Sequence, residues 1–594
     1  MLDQKVERPY VIPEISLGER LLKRFKVAQE KRKQFEQIWQ TVSNYVLPYR
    51  GGFYSINDSG SIAPYDRNVA VYDDTATNAL VKASSALYSY TANPATQWFH
   101  FKLKAMKKSK KSMSGAFSVQ ALMQNRDVRN WLEETEETVA HYINANSQEG
   151  MHAIAQELLA YSTSALYIIE DPFSEHILTI QPIALRDLYI LNGASGAPEE
   201  VYRSVLLTNE QIVSQFAPRG GQIPDDVLKA LNTDPLKERV VIHAVYPRTT
   251  FDPRLPDNLN MPFASVWIDY TTKKVIYESG FDEMPYAIAR INVPAGFVYG
   301  FSPAMNIRHT IQSLNKLVRQ KLNAGDLALT PAMNVPLDTY VNPLSLKPAA
   351  LNYHEPDSPY RAEPMHTVGN FQINTETITD ARNQVKQGML IDLIEQTNKD
   401  NTYQAMQEQL LQLKLMSPWQ GGIEKHCLRP LVIRVFNILQ RRGGILPEPP
   451  AQLAQAMKDG SVKIQIDYDS PLARAQQHFK TTAIEQVMAF SMPLAQVGSL
   501  ETINVERMIK LYVELIGAPS AILYTDKETK AMMRAQQEQQ QKEQQMQQQM
   551  VQAQQMKEQA SSMKDMAQAA STMNAGGMGG IPGAQGAPMG MGGM

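Results

Sequence analysis

An α+β fold is predicted for this 594-residue chain by three observations. Helical spacing dominates both ends of the first 170 residues and most of residues 303–442. Between about 176 and 291 the text turns β-rich, in short runs of branched and aromatic residues. No strand-helix-strand alternation of the kind a doubly wound sheet requires appears. At roughly 100 to 200 residues per domain, the length has room for three or four units.

The elements follow in chain order. Residues 17–47 predict a first helix, because Leu21, Phe25, Ala28, Phe35, Ile38, Val42 and Tyr45 recur at three, four and seven with Lys and Arg between them. It ends at Pro48, before Gly51 and Gly52. Asp73 and Asp74 are placed to accept hydrogen bonds from the first-turn amides of a second helix reaching about Tyr90. The run Lys102, Lys104, Lys107, Lys108, Lys110 and Lys111 reads as a solvated loop rather than a phosphate contact, since nothing aromatic interleaves with it. A helix is expected over 128–166, then strands at 176–181, 201–207, 240–245, 265–270, 274–277 and 287–291.

Pro303 suits a first helical position, and Ile307, Ile311, Leu314, Val318 and Leu322 form a stripe, so a helix is predicted over 303–328. Pro331, Pro336, Pro343, Pro348, Pro356 and Pro359 then exclude helix and predict a small module of short strands and turns. A second helix follows over 375–396. Thr397, Asn398, Lys399, Asp400, Asn401 and Thr402, ahead of Tyr403, carry no apolar anchor and read as a mobile loop. Helical text resumes over 403–442 with a kink expected near Pro418 and Gly421-Gly422. A strand is expected at 462–468, helices at about 471–492 and 505–516, and a last helix from Thr525, whose spacing to Glu528 fits a capping box. Of residues 536–555, 13 are Gln. Met546, Met550, Ala553, Met556, Ala560 and Met563 make a narrow stripe that one helix alone cannot bury. Residues 574–594, rich in Gly, Met, Ala and Pro, cannot build a core.

Composition narrows the chemistry. Lys+Arg number 58 against Asp+Glu 60, so no global positive field draws the chain onto nucleic acid. The single Cys427 supplies neither an internal disulfide nor a cysteine-rich metal site, and points to a reducing cytoplasm. No run of 18 apolar residues or signal-like start occurs, so a soluble product without membrane attachment is expected. There is no Gly-Lys dipeptide, which excludes a P-loop, and no Gly-x-Gly-x-x-Gly, His-Glu-x-x-His or Gly-x-Ser-x-Gly. The ten histidines are dispersed, Asp73-Asp74 and Asp225-Asp226 fit capping or loops better than acid/base work, and Cys427 lies on an apolar helix face. No catalytic residue, cofactor or metal is expected, and the chain is read as a non-enzyme.

Several strings, in order, carry a resemblance: WQTVSNYVLP (39–48), VYDDTATNALVKASSAL (71–87), Asn93-Pro94, Trp98-Phe99, Tyr299-Gly300-Phe301-Ser302-Pro303, Leu314-Asn315, LRPLVIRVFNIL (428–439), YDSPLARAQ (468–476) and Ile516-Gly517-Ala518-Pro519. Over residues 17–541 the chain resembles the head-to-tail connector, or portal, proteins of short-tailed, podovirus-type bacteriophages. The resemblance implies a dodecameric ring at a capsid vertex of the virion, made in the host cytoplasm. Double-stranded DNA enters through it under the terminase large subunit and later leaves, and tail adaptor, major capsid and scaffold proteins are its other partners.

By the same resemblance, 1–299 is the N-terminal part of a wing, 300–328 and 374–396 are stem helices, and 329–373 is a proline-rich α/β clip. The DNA-channel loop is 397–403, namely Thr397, Asn398, Lys399, Asp400, Asn401, Thr402 and Tyr403. Residues 404–470 are the long kinked helix and wing return, 471–524 a helical crown, 525–573 a barrel-like C-terminal helix, and 574–594 a disordered tail. The rival reading is another structural virion protein, a scaffold or internal core component. A β-rich region and a proline-rich insert weigh against it.

Overall fold

A computed structural model describes residues 16–50, 52–57, 60–64, 69–94, 96–105, 119–170, 177–252, 255, 257–329, 333–334, 353, 363–364, 372–391, 419–468, 481, 484–487, 489, 508–509, 511–513 and 526–573. Two units divide the chain, residues 1–508 and 509–594.

Helix α1 (Leu17–Tyr45) opens the first unit, with the Ser16 side chain capping the Glu19 amide. Its stripe serves two cores in succession. Leu21, Leu22, Phe25 and Ala28 pack into one cluster, whereas Phe35, Trp39 and Val42 belong to another. After a short hairpin of β1 (Tyr54–Ile56) and β2 (Ile62–Pro64), α2 (Thr75–Thr91) leads to β3 (Phe99–Ala105). Here the expected solvated loop is corrected. Residues 99–105 alternate buried and exposed, and Phe99, Phe101 and Leu103 anchor them to the core as a strand. Residues 106–118, with the remaining lysines of the run, lie outside the described residues.

Next come α3 (Val119–Gln124) and α4 (Arg126–Tyr161). The helix predicted to reach residue 166 stops at Tyr161, because Ser162 turns left-handed at φ 68° and the branched run after it enters β4 (Thr163–Glu170). A three-stranded antiparallel sheet has the order β11-β4-β5, with β5 at Leu178–Ile183 and β11 at Tyr286–Arg290. Between these lie β6 (Leu188–Asn192), β7 (Pro198–Thr208), α5 (Asn209–Phe216), α6 (Asp225–Thr233), β8 (Glu238–Pro247), β9 (Phe263–Asp269) and β10 (Val275–Phe281). The five strands form an antiparallel sheet ordered β10-β9-β8-β7-β6. Every strand pair among the described residues is antiparallel, so the α+β class holds as a mixture of helix and antiparallel sheet.

The helix predicted from Pro303 is broken at Ile307 into α7 (Pro303–Asn306) and α8 (Arg308–Leu329). Within the proline-rich stretch, β12 (Met333–Asn334) pairs antiparallel with β13 (Glu363–Pro364). Helix α9 (Gln372–Gly388) ends eight residues before the predicted boundary at 396, with Leu390 left-handed just beyond it. Residues 392–418, which contain the whole predicted loop Thr397 to Tyr403, lie outside the described residues.

Where a kink was expected near Gly421-Gly422, the helix runs through both glycines and then widens into a π turn over Glu424–Leu428. Arg429 N–H reaches the Glu424 carbonyl, five residues back. Pro430 lacks an N–H and its ring crowds the carbonyl four residues before it, so a widened turn relieves both at once. The helix resumes over Arg429–Arg442, a short helix follows at Ala451–Lys458, and β14 (Val462–Tyr468) returns to pair antiparallel with β3. The helices predicted at 471–492 and 505–516 fall almost wholly outside the described residues, as do Thr525 and residues 574–594. In the second unit, Asp526–Met573 is one 48-residue helix with Met546, Met550, Met556 and Met563 exposed.

Candidate functional site: the seat of the paired helices

Helices α8 and α9 are the elements on which the functional reading turns, and the strings quoted above converge where they enter the core. Ser302 caps α7: its Oγ accepts from the Met305 amide at 3.0 Å and donates to the Ala160 carbonyl at 2.6 Å. The Tyr299 hydroxyl accepts the Ile190 amide at 3.1 Å, and its ring meets Trp39 edge-on at 5.0 Å. Gly300 is required by close approach. A Cβ there would lie 2.1 Å from the Ile291 carbonyl oxygen and 2.3 Å from Ser162 Oγ.

The two helices share an apolar seam at this end. Ile311 and Leu314 of α8, Ile378 and Val385 of α9, and Met389 just past its end are buried in the main core. Gly388 lets the helix end touch the α7–α8 break, since a Cβ would meet Ile307 Cγ2 at 2.4 Å. Farther along α8, Leu322 and Leu329 are 53% and 84% exposed. The apolar stripe that predicted α8 therefore leaves the core of this chain while still apolar.

Polar contacts pin both helices to the segment before α2. Asn315 accepts the Tyr72 amide at 2.7 Å and donates to the Ala70 carbonyl at 3.1 Å, and the Arg319 guanidinium stands 5.9 Å from the Tyr72 ring centre. Arg382 of α9 donates to Asp73 Oδ2 through Nε at 2.9 Å and Nη2 at 2.7 Å. Asp73 Oδ1 also accepts the Thr75 amide at 3.0 Å, whereas Asp74 makes no side-chain cap. Burial pushes the Asp73 carboxyl up, but the Thr75 and Arg382 hydrogen bonds outweigh it and hold it below the usual range. Its stabilisation is therefore present above the unfolded carboxylate range and lost as pH falls through the depressed value. Asp73→Asn is expected to cost about 1 kcal/mol at pH 7, kept small because Arg382 is half in water, and almost nothing at pH 2–3. Denaturant midpoints at the two pH values check this, and an equal loss at both would remove the ionic explanation.

Among the described residues no nucleophilic or acid/base arrangement joins this seat. Cys427 is fully buried and its thiol is pushed up to about 12 by desolvation alone. His243, also fully buried, is held down to about 3 by burial, with Arg203 adding to it; it bridges Tyr286 and Ser265 and stacks on Trp267 at 4.2 Å. Among the described residues no group of three His, Cys, Asp or Glu converges to hold a metal ion, and no described helix is long and apolar enough to cross a membrane. Asn315 entered the sequence reading only within the Leu314-Asn315 string, with no contact assigned to it, and Arg319 and Arg382 did not enter it at all. Their signal, a polar residue inside an otherwise apolar helical stripe, is visible only once the segment before α2 is in place.

Comparison with known proteins supplies the context. The family model of bacteriophage head to tail connecting proteins matches residues 18–523. The portal protein of Salmonella phage epsilon15 is 25% identical over 538 residues, covering 88% of this chain and 92% of that protein. The probable portal protein of Bordetella phage BPP-1 is 22% identical over 537 residues, covering 88% and 91%. Among solved structures, a chain from the neck of an empty GTA particle, solved with C6 symmetry, aligns with 74% of this chain and 90% of its own length, at 11% identity and a TM-score of 0.31. With the family model spanning most of its length, this chain belongs to the bacteriophage head to tail connecting proteins.

Proposed function

We propose that this chain is the subunit of a portal ring at the head-tail vertex of a phage virion, a conduit for double-stranded DNA rather than an enzyme. The observation that carries the reading is the pair α8 and α9, seated in a polar and apolar socket at one end and leaving the core with Leu322 and Leu329 exposed. An apolar stripe that its own chain leaves uncovered suits a closed ring, in which each copy covers the next. In this reading α8 and α9 are the stem, the segment between them is the clip that receives the terminase large subunit and later the tail adaptors, and the α+β region before Tyr299 is the wing. The crown follows residue 470. The exposed Met stripe of Asp526–Met573 supports a barrel of neighbouring copies, since an isolated helix is marginal in water. Twelve copies, contact with major capsid and scaffold proteins, and synthesis in the host cytoplasm complete the proposal.

Lys399, Asp400 and Asn401, in the loop assigned to the channel, provide the test. Replacing all three by alanine is expected to leave rings intact in negative-stain images while DNA packaging or retention falls. A variant that fails to form rings would make the loop a structural element, and rings with unchanged packaging would remove it from the DNA path.

A further inference from the structure

The β3–β14 ribbon carries a charge arrangement that its own fold does not explain. One face of the ribbon is apolar: Phe99, Phe101, Leu103, Val462 and Ile466 are buried, and Phe101 meets Phe436 with ring centres 5.4 Å apart. The strand period of two puts His100, Lys102 and Lys104 of β3 on the opposite face, beside Lys463, Gln465 and Asp467 of β14. In this register Lys104 stands directly across from Lys463. Like charges directly opposite each other destabilise a ribbon. The only ion pair between the two strands among the described residues joins Lys102 Nζ to Asp467 Oδ2 at 2.6 Å, and Glu136 is taken up by His100 and the Phe101 amide. All three lysines are exposed.

We propose that the outer face of this ribbon, through Lys102, Lys104 and Lys463, binds the phosphate backbone of double-stranded DNA without reading its sequence. A polyanion with closely repeating charge neutralises the opposed pair Lys104 and Lys463 together, which a single carboxylate cannot do. Lysine ammoniums act as point charges on phosphate. The face offers no arginine fork and no Phe, Tyr or Trp ring, and its one imidazole, His100, is held by Glu136, so base edges and unpaired bases find little to read or stack on. The choice of DNA over an acidic polypeptide rests on the conduit reading above. The site itself is separate from the paired helices and from the loop assigned to the channel.

Covalently closed circular duplex DNA is the probe, because it has no end to thread through a channel and so reports only an external surface. Full-length assembled protein is compared with the K102Q/K104Q/K463Q variant and with the variant carrying Arg at the same three positions, with ring formation as the folding control. Three phosphate contacts steepen the salt dependence by about 2.7 in log-log slope, so raising salt from 50 to 200 mM should cost the wild type about 40-fold more affinity than the Gln variant. The Arg variant should bind as the wild type does. Equal affinity and slope for wild type and Gln variant would overturn the proposal, as would binding of polyglutamate in preference to the circle. Either result leaves the conduit reading standing, since that one fails only if linear DNA is not packaged.

Discussion

Arg32→Met is expected to lower stability by about 3–5 kcal/mol, because it removes the positive half of a buried ion pair. Arg32 is fully buried on α1, where its guanidinium donates to the carbonyls of Leu188 and Arg186, both at 2.8 Å, and lies 4.2 Å from the Tyr189 ring centre. Its Nε stands 3.0 Å from Glu36 Oε1, an ion pair whose angle does not make a hydrogen bond. This side chain sits where α1 passes from one apolar cluster to the other, so it ties the five-stranded sheet to the main core. Adding Glu36→Leu to Arg32→Met should recover part of the loss, since the buried carboxylate that faced Arg32 is then gone. Thermal or denaturant unfolding of the two variants measures both effects. A double variant no better than the single one would show that the carbonyl bonds, and not the charge, carry the loss.

Glu157→Gln should stabilise the protein by up to about 3 kcal/mol at pH 8 and change little at pH 4. Burial pushes this carboxyl up from 4.5 to about 7, against the opposing pull of Arg50 and the Ser164 hydroxyl. Ser164 donates to it at 2.8 Å, while Arg50 stays at 3.6 Å. The raised value means that the folded state holds the proton more tightly than the unfolded chain does. The wild type is therefore unpenalised below about pH 4.5, loses stability as pH rises toward 7, and keeps a constant deficit above that. The amide removes the charge and the slope. Denaturation midpoints at pH 5 and 8 decide it: a variant as pH-dependent as the wild type in this window would clear Glu157 of the effect.

Much of the helical frame was legible in the sequence, because a helix that buries one stripe writes that stripe at three and four. The spacings of α1 and α2 place their buried residues correctly, that of α8 does so at Ile311 and Leu314 but not at Leu322, and β14 appears at the residues predicted for it. What escaped was decided across distance. Residues 163–166 read as a helical continuation until Ser162 turns left-handed, and the run from Lys102 reads as a loop while its lysines are counted without the alternating apolar residues before and between them. The π turn escaped because Pro430 marks a fault in the helix without saying how the backbone absorbs it. At the seat, the two glycines were visible as letters, but what makes each necessary is a carbonyl or side chain brought from elsewhere in the chain. Asn315 and Arg382 gain their meaning in the same way, from residues 70–73.

The ribbon also sets a timetable for synthesis. Lys102 and Asp467, neighbours across it, are 365 residues apart in the chain. At 5–20 residues per second, β3 leaves the ribosome roughly 20 to 70 s before the strand that pairs with it. For that interval Phe99, Phe101 and Leu103 lack their partner strand, while the lysines between them keep the unpaired edge charged, which discourages its joining an edge of another nascent chain. The same delay holds for the seat, where Asp73 waits for Arg382, 309 residues later. On the ring reading proposed above, chains still being translated lack the finished surfaces that a neighbour would recognise, so closure is reserved for completed chains.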